Sequence, residues 1–145
     1  EADEPITIYI NSPGGSVNAG LVIYDCIQSS NLEINIICAG MAASMAAIIL
    51  AGGPKGHRYI LPHSKVMIHE PLLSSGLGGS ATSIKNISDS ILETREIVNS
   101  ILAKHTGKSL NEVNKATSFD NYMNADEAIA FGLCDAITMH IYKRI

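Results

Sequence analysis

The stretch IICAGMAASMAAIILAGG, residues 36–53, decides how this sequence folds. It carries no charged residue, so it has to be considered as a membrane span. However, it is short for a span, is rich in Gly and Ala, and changes halfway from a strand-like to a helix-like pattern. We therefore predict a buried strand followed by a helix, which is a βα unit. The one hydroxyl group of the stretch belongs to Ser44, near the predicted start of the helix.

Strand and helix patterns alternate along the rest of the chain. Periodicity and turn residues predict strands at 6–10, 34–38 and 134–137, short strands in RYILP and KVMIH, a tight turn at 12–15, and helices at 17–28, 42–51 and 82–105. Two short helices begin at capping-box patterns, at 109–112 and 124–127. This alternation indicates an α/β fold, and we predict one domain spanning residues 1–145.

The predicted long helix carries a single apolar stripe, which is expected to be core or interface. The stripe consists of Ile84, Ile87, Ile91, Val98 and Ile101. The segment LLSSGLGGS precedes this helix and is, taken alone, typical of a flexible surface loop.

Composition limits the classes of function. The chain has 145 residues, 46% of them hydrophobic, and a formal net charge of −4 with scattered Lys and Arg. This charge pattern gives no basic surface for nucleic acid or anionic lipid, so neither partner is expected. The three cysteines, Cys26, Cys38 and Cys134, lie in apolar segments and are predicted to be reduced core residues of an intracellular protein.

Ser44 and a pair of glycines are ambiguous when each is considered alone. A lone Ser in an Ala-rich helix is usually there because it is small and can hydrogen-bond to its own helix. The surrounding GMAASM does not match the G-x-S-x-G motif of a nucleophile elbow. The glycines of INSPGG are ordinarily part of a strand-to-helix turn, although they could present N–H groups to an oxyanion.

His69 and Asp120 also have ordinary structural interpretations. His69 ends a predicted strand at a sheet edge, and Asp120 in TSFDNYM is typical of a helix-to-strand turn. His57, His63 and His69 recur every six residues, but no Cys or carboxylate lies at a zinc-motif spacing. We therefore do not predict a metal site.

Five segments together resemble the ClpP family, the proteolytic subunits of the intracellular ATP-dependent caseinolytic proteases. They are YINSPGGSVNAGLVIYD, GMAASMAA, GPKGHRYILPHSKVMIHEPL, HTGKSLNEV and NYMNADEAIAFGLCD, which occur in family order over nearly the whole chain. The resemblance implies the ClpP/crotonase-type spiral of βαβ units. It also leads us to expect that the family's axial loop, first helix and first strands are absent from these residues.

The resemblance implies a serine endopeptidase and assigns a role to each ambiguous residue. Ser44 would be the nucleophile, His69 the general base and Asp120 the residue that holds the imidazole tautomer. Backbone N–H groups of Gly15 and Met45 would form the oxyanion hole. No metal or cofactor would be bound by this subunit.

The resemblance also implies an assembly and its partners. The long helix and the glycine-rich segment with Gly76, Gly78 and Gly79 would form a handle that lines the substrate groove and joins two heptameric rings into a tetradecamer. Unfolded polypeptides would be threaded in by an AAA+ unfoldase of the ClpX, ClpA or ClpC type, which would bind the ATP. This chain contains no P-loop. The location would be the bacterial cytoplasm or an organelle matrix.

Several positions depart from the family pattern. Phe119 stands where Arg is common beside the triad acid, and we expect it to pack instead. Glu70 and Ala46 replace a frequent Gln and a frequent Gly, which would alter the groove. In the unfoldase pockets that the resemblance implies, Tyr9 matches, whereas Thr7 and Ser29 stand where the family often has aromatic residues.

Two other functions remain open from the sequence. The chain could be a catalytically weak structural subunit of a mixed ring with a second ClpP-type subunit, which Phe119 and the altered pockets would explain. It could also be a crotonase-type acyl-CoA enzyme, which shares the fold and the paired-glycine oxyanion site. Those enzymes do not usually combine a nucleophile like Ser44 with a base like His69.

Overall fold

The computed structural model describes residues 3–73 and 78–141. In chain order its elements are β1 (Ile6–Ser12), α1 (Val17–Ser29), β2 (Ile34–Ala43), α2 (Met45–Ala51), β3 (Arg58–Ile60), β4 (Lys65–Ile68), α3 (Ala81–Thr106), α4 (Leu110–Ala116), β5 (Asn121–Met123), α5 (Ala125–Phe131) and β6 (Ala136–Ile137). The α/β class and the ClpP-type curled sheet are confirmed.

A six-stranded sheet organises the molecule around β2. Strand β1 pairs with one edge of β2, and the other edge pairs with β3 along its first half and with β4 along its second half. The order of the remaining strands is β5-β4-β2-β3-β6, with β5 antiparallel to β4 and the other pairs parallel. Because β2 changes partner partway, the sheet curls, and the ends of β1, β2 and β4 lie at one edge.

The boundary between β2 and α2 differs from the sequence prediction. Ala42 and Ala43 were expected in the helix, but they pair with Val66 and Met67 as the last residues of β2. Alanine has high helix propensity, yet parallel pairing and complete burial decide its conformation here. The helix therefore starts one residue after Ser44.

The other predicted elements are present, with one addition. Strand β5 was not predicted as a separate element, because three residues are too few to show alternation. The capping box of α5 is complete, since Asn124 and Glu127 each accept from the other's backbone N–H. At α4 the Ser109 side chain accepts from the Glu112 N–H, which is the forward half of that motif.

The hydrophobic core lies between the sheet and the helices. Its largest fully buried apolar side chains are Ile36, Leu50, Ile60, Ile68, Leu102, Leu133, Val66 and Val113. Cys38 and Cys134 are buried as expected, but Cys26 is exposed on α1, so its prediction as a core residue is wrong. The apolar residues around Cys26 in the sequence face different sides of the helix.

Helix α3 extends far beyond the part of it that packs on the core. None of residues 81–97 is buried, whereas Val98, Asn99 and Leu102 are. Ile84 and Ile87 of the predicted stripe are each 37% exposed, so only the second half of the stripe contributes to the core of this chain.

One buried cation joins the ends of three helices. The Arg58 guanidinium donates to the carbonyl oxygens of Ala51, His105 and Gly132, at or next to the C-terminal ends of α2, α3 and α5. It also forms two hydrogen bonds with the Asp135 carboxylate. A positive charge at converging helix C-termini is favourable because each end carries partial negative charge.

In the part of the chain that the structure describes, no helix is both long and apolar enough to cross a membrane. The stretch 36–53, considered above as a span, consists mainly of β2 and α2.

Candidate active site

Three polar side chains lie at the ends of three neighbouring strands. Ser44 directly follows β2, His69 directly follows β4, and Asp120 directly precedes β5. Since β5 runs antiparallel to β4 and β4 runs parallel to β2, all three positions fall at the same edge of the sheet. The order β5-β4-β2 then predicts the spatial order acid, imidazole, hydroxyl.

The side chains form a continuous series of hydrogen bonds. His69 Nε2 lies 2.8 Å from Ser44 Oγ, and His69 Nδ1 lies 3.1 Å from Asp120 Oδ1. The His69 side chain is 12% exposed and that of Asp120 is 65% exposed. If Nδ1–H donates to the carboxylate, Nε2 is left as the acceptor for the Ser44 hydroxyl, which is the arrangement a general base requires.

The antiparallel register explains why His69 meets Asp120. In the β4–β5 pair, Met67 lies opposite Tyr122 and Ile68 lies opposite Asn121. Extending this register by one residue places His69 opposite Asp120. Side chains of directly opposed residues lie on the same face of a sheet, within reach of each other.

Ser44 has a strained backbone that turns its hydroxyl out of the sheet. Its φ is +58°, and among residues 3–73 and 78–141 it is the one residue other than glycine with positive φ. Its N–H donates to the Met67 carbonyl at 2.9 Å, which fixes the turn against β4. A sharp strand-to-helix turn of this kind is the geometry of a nucleophile elbow, although the G-x-S-x-G motif is absent. Such strain costs about 1–3 kcal/mol and commonly marks functional sites.

Gly14 lies directly against this turn. Its φ is +97°, and a Cβ atom at this position would lie 2.7 Å from Ser44 Cβ and 2.8 Å from the Ala43 carbonyl oxygen. Contacts this short are not tolerated, so the turn after β1 can approach Ser44 only because residue 14 has no side chain. Both glycines of INSPGG were predicted from the sequence as possible N–H donors and only Gly15 was given a role, so the contact between Gly14 and Ser44 was not predicted.

Gly15 and Met45, the expected oxyanion donors, border a common concave pocket. This pocket has a volume of about 380 Å³, and its lining includes both residues together with Ile23, Ala46 and Ile49. Space is open above Gly15, where an added Cβ would meet no atom within 4 Å. Ser44 and His69 are not among the lining residues, so the pocket adjoins the hydrogen-bonded series without containing it.

The glycine-rich segment is described only in part. Gly76 lies outside the described residues, whereas Gly78 and Gly79 are exposed just before α3. Gly79 has a φ of +108° and leads into Ser80, whose side chain accepts from the Ser83 N–H and caps the helix. Their expected role in lining a substrate groove stays a prediction.

The Phe119 side chain is 58% exposed, so it does not pack into the core of this chain. Packing of Phe119 against another subunit stays a prediction. Glu70, which directly follows His69, forms an ion pair with Arg95 of α3, with 3.7 Å between the carboxylate oxygen and the guanidinium nitrogen. In the described residues no group of three or more His, Cys, Asp or Glu side chains is placed to hold a metal ion.

The buried thiols have pKa values that suit them poorly for nucleophilic attack. Burial raises the pKa of Cys38 to about 11 and that of Cys134 to about 12. Because a thiol attacks as its thiolate, both groups are unreactive near neutral pH.

A hydroxyl, an imidazole and a carboxylate hydrogen-bonded in series are the arrangement that serine-type hydrolases use, on many unrelated folds. Here the series lies on the curled α/β sheet. The sequence model of the family described as "Clp protease" matches residues 1–140. The chain therefore belongs to the Clp protease family, whose ClpP-type members are peptidases, and the resemblance found from the sequence is confirmed.

Proposed function

We propose that this chain is a serine endopeptidase subunit in which Ser44, His69 and Asp120 act as the catalytic triad. The observation that carries the proposal is the unbroken series of hydrogen bonds from Ser44 Oγ through both His69 nitrogens to Asp120. Family membership supports peptide bonds as the substrate. The strained turn at Ser44 supports the choice of nucleophile.

Acylation follows from this geometry. Ser44 Oγ attacks the carbonyl carbon of the scissile peptide bond while its proton passes to His69 Nε2. The carbonyl electron pair moves onto oxygen and forms a tetrahedral oxyanion. When that pair returns, the C–N bond breaks, and the imidazolium gives its proton to the leaving amine. Asp120 stabilises the imidazolium during both steps.

Deacylation uses the same groups with water in place of the amine. His69 takes a proton from water, the hydroxide oxygen bonds to the acyl carbon, and the ester C–O bond breaks. The imidazolium proton then returns to Ser44 Oγ, which restores the starting state.

The N–H groups of Gly15 and Met45 are the proposed donors to the oxyanion. One such donor is typically worth about 3 kcal/mol of transition-state stabilisation. The open space over Gly15 and the nearby pocket support this assignment, because a peptide carbonyl needs room to approach Ser44.

We further propose that the subunit works in a closed assembly of heptameric rings, as a homo-oligomer or together with a second ClpP-type subunit. An AAA+ unfoldase would supply unfolded polypeptide and use the ATP. Oligomeric assembly with unfoldases is general in the family. The bacterial cytoplasm or an organelle matrix is the location we propose.

Active-site labelling of the purified full-length assembly tests this function. A fluorophosphonate probe should modify wild-type protein at Ser44 alone, and a fluorogenic peptide should be hydrolysed. Ser44→Ala should abolish labelling and lower kcat by about 10⁴-fold or more. Ser90→Ala, an exposed serine on α3, is the matched control and should retain both.

The same experiment separates the alternatives. A folded, assembled wild type that neither labels nor cleaves peptide would contradict the proposal and favour the structural subunit of a mixed ring. Hydrolysis of a CoA thioester without peptidase activity would instead favour a crotonase-type enzyme.

A further inference from the structure

A buried pair of polar side chains, Asn99 and Thr117, lies beneath the segment that carries Asp120. Asn99 of α3 and Thr117 are both 0% exposed. Asn99 Nδ2 donates to Thr117 Oγ1 at 3.1 Å and to Asn114 Oδ1 at 2.8 Å. Burying an amide among apolar side chains is unfavourable unless its groups are paired, so an Asn on the core face of a helix calls for an explanation.

The orientation of the Asn99 amide follows from the hydrogen bonds of Thr117. The Thr117 hydroxyl donates its proton to the Val113 carbonyl at 2.8 Å, so it can only accept from Asn99. Nδ2 therefore faces Thr117, and Asn99 Oδ1 is buried with no hydrogen-bond partner among the residues that the structure describes. An unpaired buried oxygen is costly, which a purely stabilising role would not explain.

Thr117 links the segment of the acid to the segment of the base. Its carbonyl oxygen accepts from the N–H of Glu70 at 2.8 Å, and Glu70 directly follows His69. Asp120 lies three residues after Thr117. The His69–Asp120 contact is therefore bracketed by the last pair of the β4–β5 ladder, Ile68 with Asn121, on one side and by the Glu70–Thr117 bond on the other.

Helix α3 contacts the same segments at two successive turns. Asn99 holds Thr117, and Arg95, one turn earlier, lies 3.7 Å from the Glu70 carboxylate. The Arg95–Glu70 pair is exposed on both sides and contributes little by itself. The hydrogen bond between Asn99 and Thr117, in contrast, is buried.

We propose that Asn99 is a positioning residue, which acts through Thr117 to set the distance between His69 and Asp120. This inference rests on the proposed function. Losing the contact lets the Thr117 segment shift relative to Glu70, and small displacements of catalytic groups reduce rate far more than they reduce substrate affinity.

Isosteric substitutions in the full-length assembly test the inference. Asn99→Leu and Thr117→Val keep volume but remove the contact, whereas Thr117→Ser keeps the hydroxyl. Both contact-removing variants should lower kcat per fluorophosphonate-titrated site by about 10- to 100-fold, with KM changed less than about 2-fold. Thr117→Ser should restore most of the activity lost in Thr117→Val.

Thr138→Val is the matched control for the loss of a threonine hydroxyl. The Thr138 hydroxyl donates to the His140 carbonyl just after β6, which lies at the opposite end of the strand order from β5, so kcat should not change. Asn99→Leu and Thr117→Val remove the same contact, so if one of them fails to assemble, the other still tests the inference.

The outcomes distinguish this inference from the function on which it rests. An active wild type, combined with a wild-type kcat in the assembled contact-removing variants, would overturn the role of Asn99 alone. Equal losses in Thr117→Val and Thr117→Ser would also overturn it, because the hydroxyl would then not matter. An assembled wild type that is inactive and unlabelled would overturn both.

Discussion

At the scale of single residues, the backbones at Ser44 and Gly14 lie unusually close together. Ser44 holds a positive φ, and Gly14 lies so close that a methyl group would overlap Ser44 Cβ. The backbone position of each residue is therefore restricted by the other. The consequence is that the position of the Ser44 hydroxyl depends on a residue that itself has no side chain.

Gly14→Ala should impair catalysis more than it impairs folding. The added Cβ must push against Ser44 and the Ala43 carbonyl, so the hydroxyl moves away from His69. We expect kcat to fall by about 100-fold, because catalysis is sensitive to displacements of this size. Peptide hydrolysis and the rate of fluorophosphonate labelling would measure the effect.

Gly56→Ala is the matched control for that substitution. Gly56 also has a positive φ, +86°, but a Cβ there meets nothing within 4 Å. It should lose about 1 kcal/mol of stability with unchanged kcat. Equal kcat losses in the two variants would mean that backbone strain, and not contact with Ser44, is responsible.

At the scale of secondary-structure elements, the ion pair of Arg58 and Asp135 joins the C-terminal ends of α2, α3 and α5. Burial alone would raise the pKa of Asp135, but the hydrogen bonds and charge of Arg58, with the N–H groups of Gly56 and Arg58, bring it below its ordinary value. Since the folded-state pKa is the lower one, this carboxylate stabilises the fold above the unfolded pKa of about 3.9.

Asp135→Asn should destabilise the protein strongly near neutral pH and less in acid. The substitution leaves the Arg58 guanidinium, 3% exposed, without its counterion, which typically costs about 3–5 kcal/mol. The difference from wild type should begin to shrink as pH falls below about 4, where the carboxylate of the unfolded chain takes up protons, and it should be lost once the pH passes below the lowered pKa of Asp135 in the folded state. Urea unfolding across that pH range would measure the difference.

Asp89→Asn provides the comparison for a surface ion pair. Asp89 pairs with Lys85 on α3, where the two side chains are 58% and 74% exposed. Removing this pair should change stability by less than about 1 kcal/mol. If Asp135→Asn were equally mild, or equally severe at every pH, the Arg58 network would not have the role assigned to it.

At the scale of the whole molecule, the first half of α3 lies outside the hydrophobic core of this chain. None of its residues before Val98 is buried, and Leu92 is 55% exposed. Since Clp proteases assemble into oligomers, we expect this half of the helix to pack against other subunits.

Leu92→Glu should therefore weaken assembly without unfolding the subunit. A charge in a subunit interface is costly, whereas the same charge in solvent is not. Analytical ultracentrifugation should show smaller species for Leu92→Glu, with unchanged circular dichroism. Ser90→Glu places the same charge more than half a turn away on α3 and should assemble normally. Loss of assembly in both variants would indicate that added charge alone is the cause.

How much could be predicted differs from element to element. Strongly periodic segments such as α1 and α3 were found with nearly their observed bounds, because local hydrophobic spacing determines them. The end of β2 was placed wrongly, since Ala42 and Ala43 follow strand pairing against their own helix propensity. Strand β5 was missed, because its three residues form a strand only against β4.

The sequence by itself determined the α/β class, the order of most elements and, through its motifs, the family. These follow from local periodicity and from short segments that can be read without coordinates. The tertiary structure decided that Ser44, His69 and Asp120 meet. Ser44 lies 25 positions before His69 in the sequence, and Asp120 lies 51 positions after it. It also placed Asn99 beneath Asp120's segment. Such contacts depend on strand order and register, which no local pattern specifies.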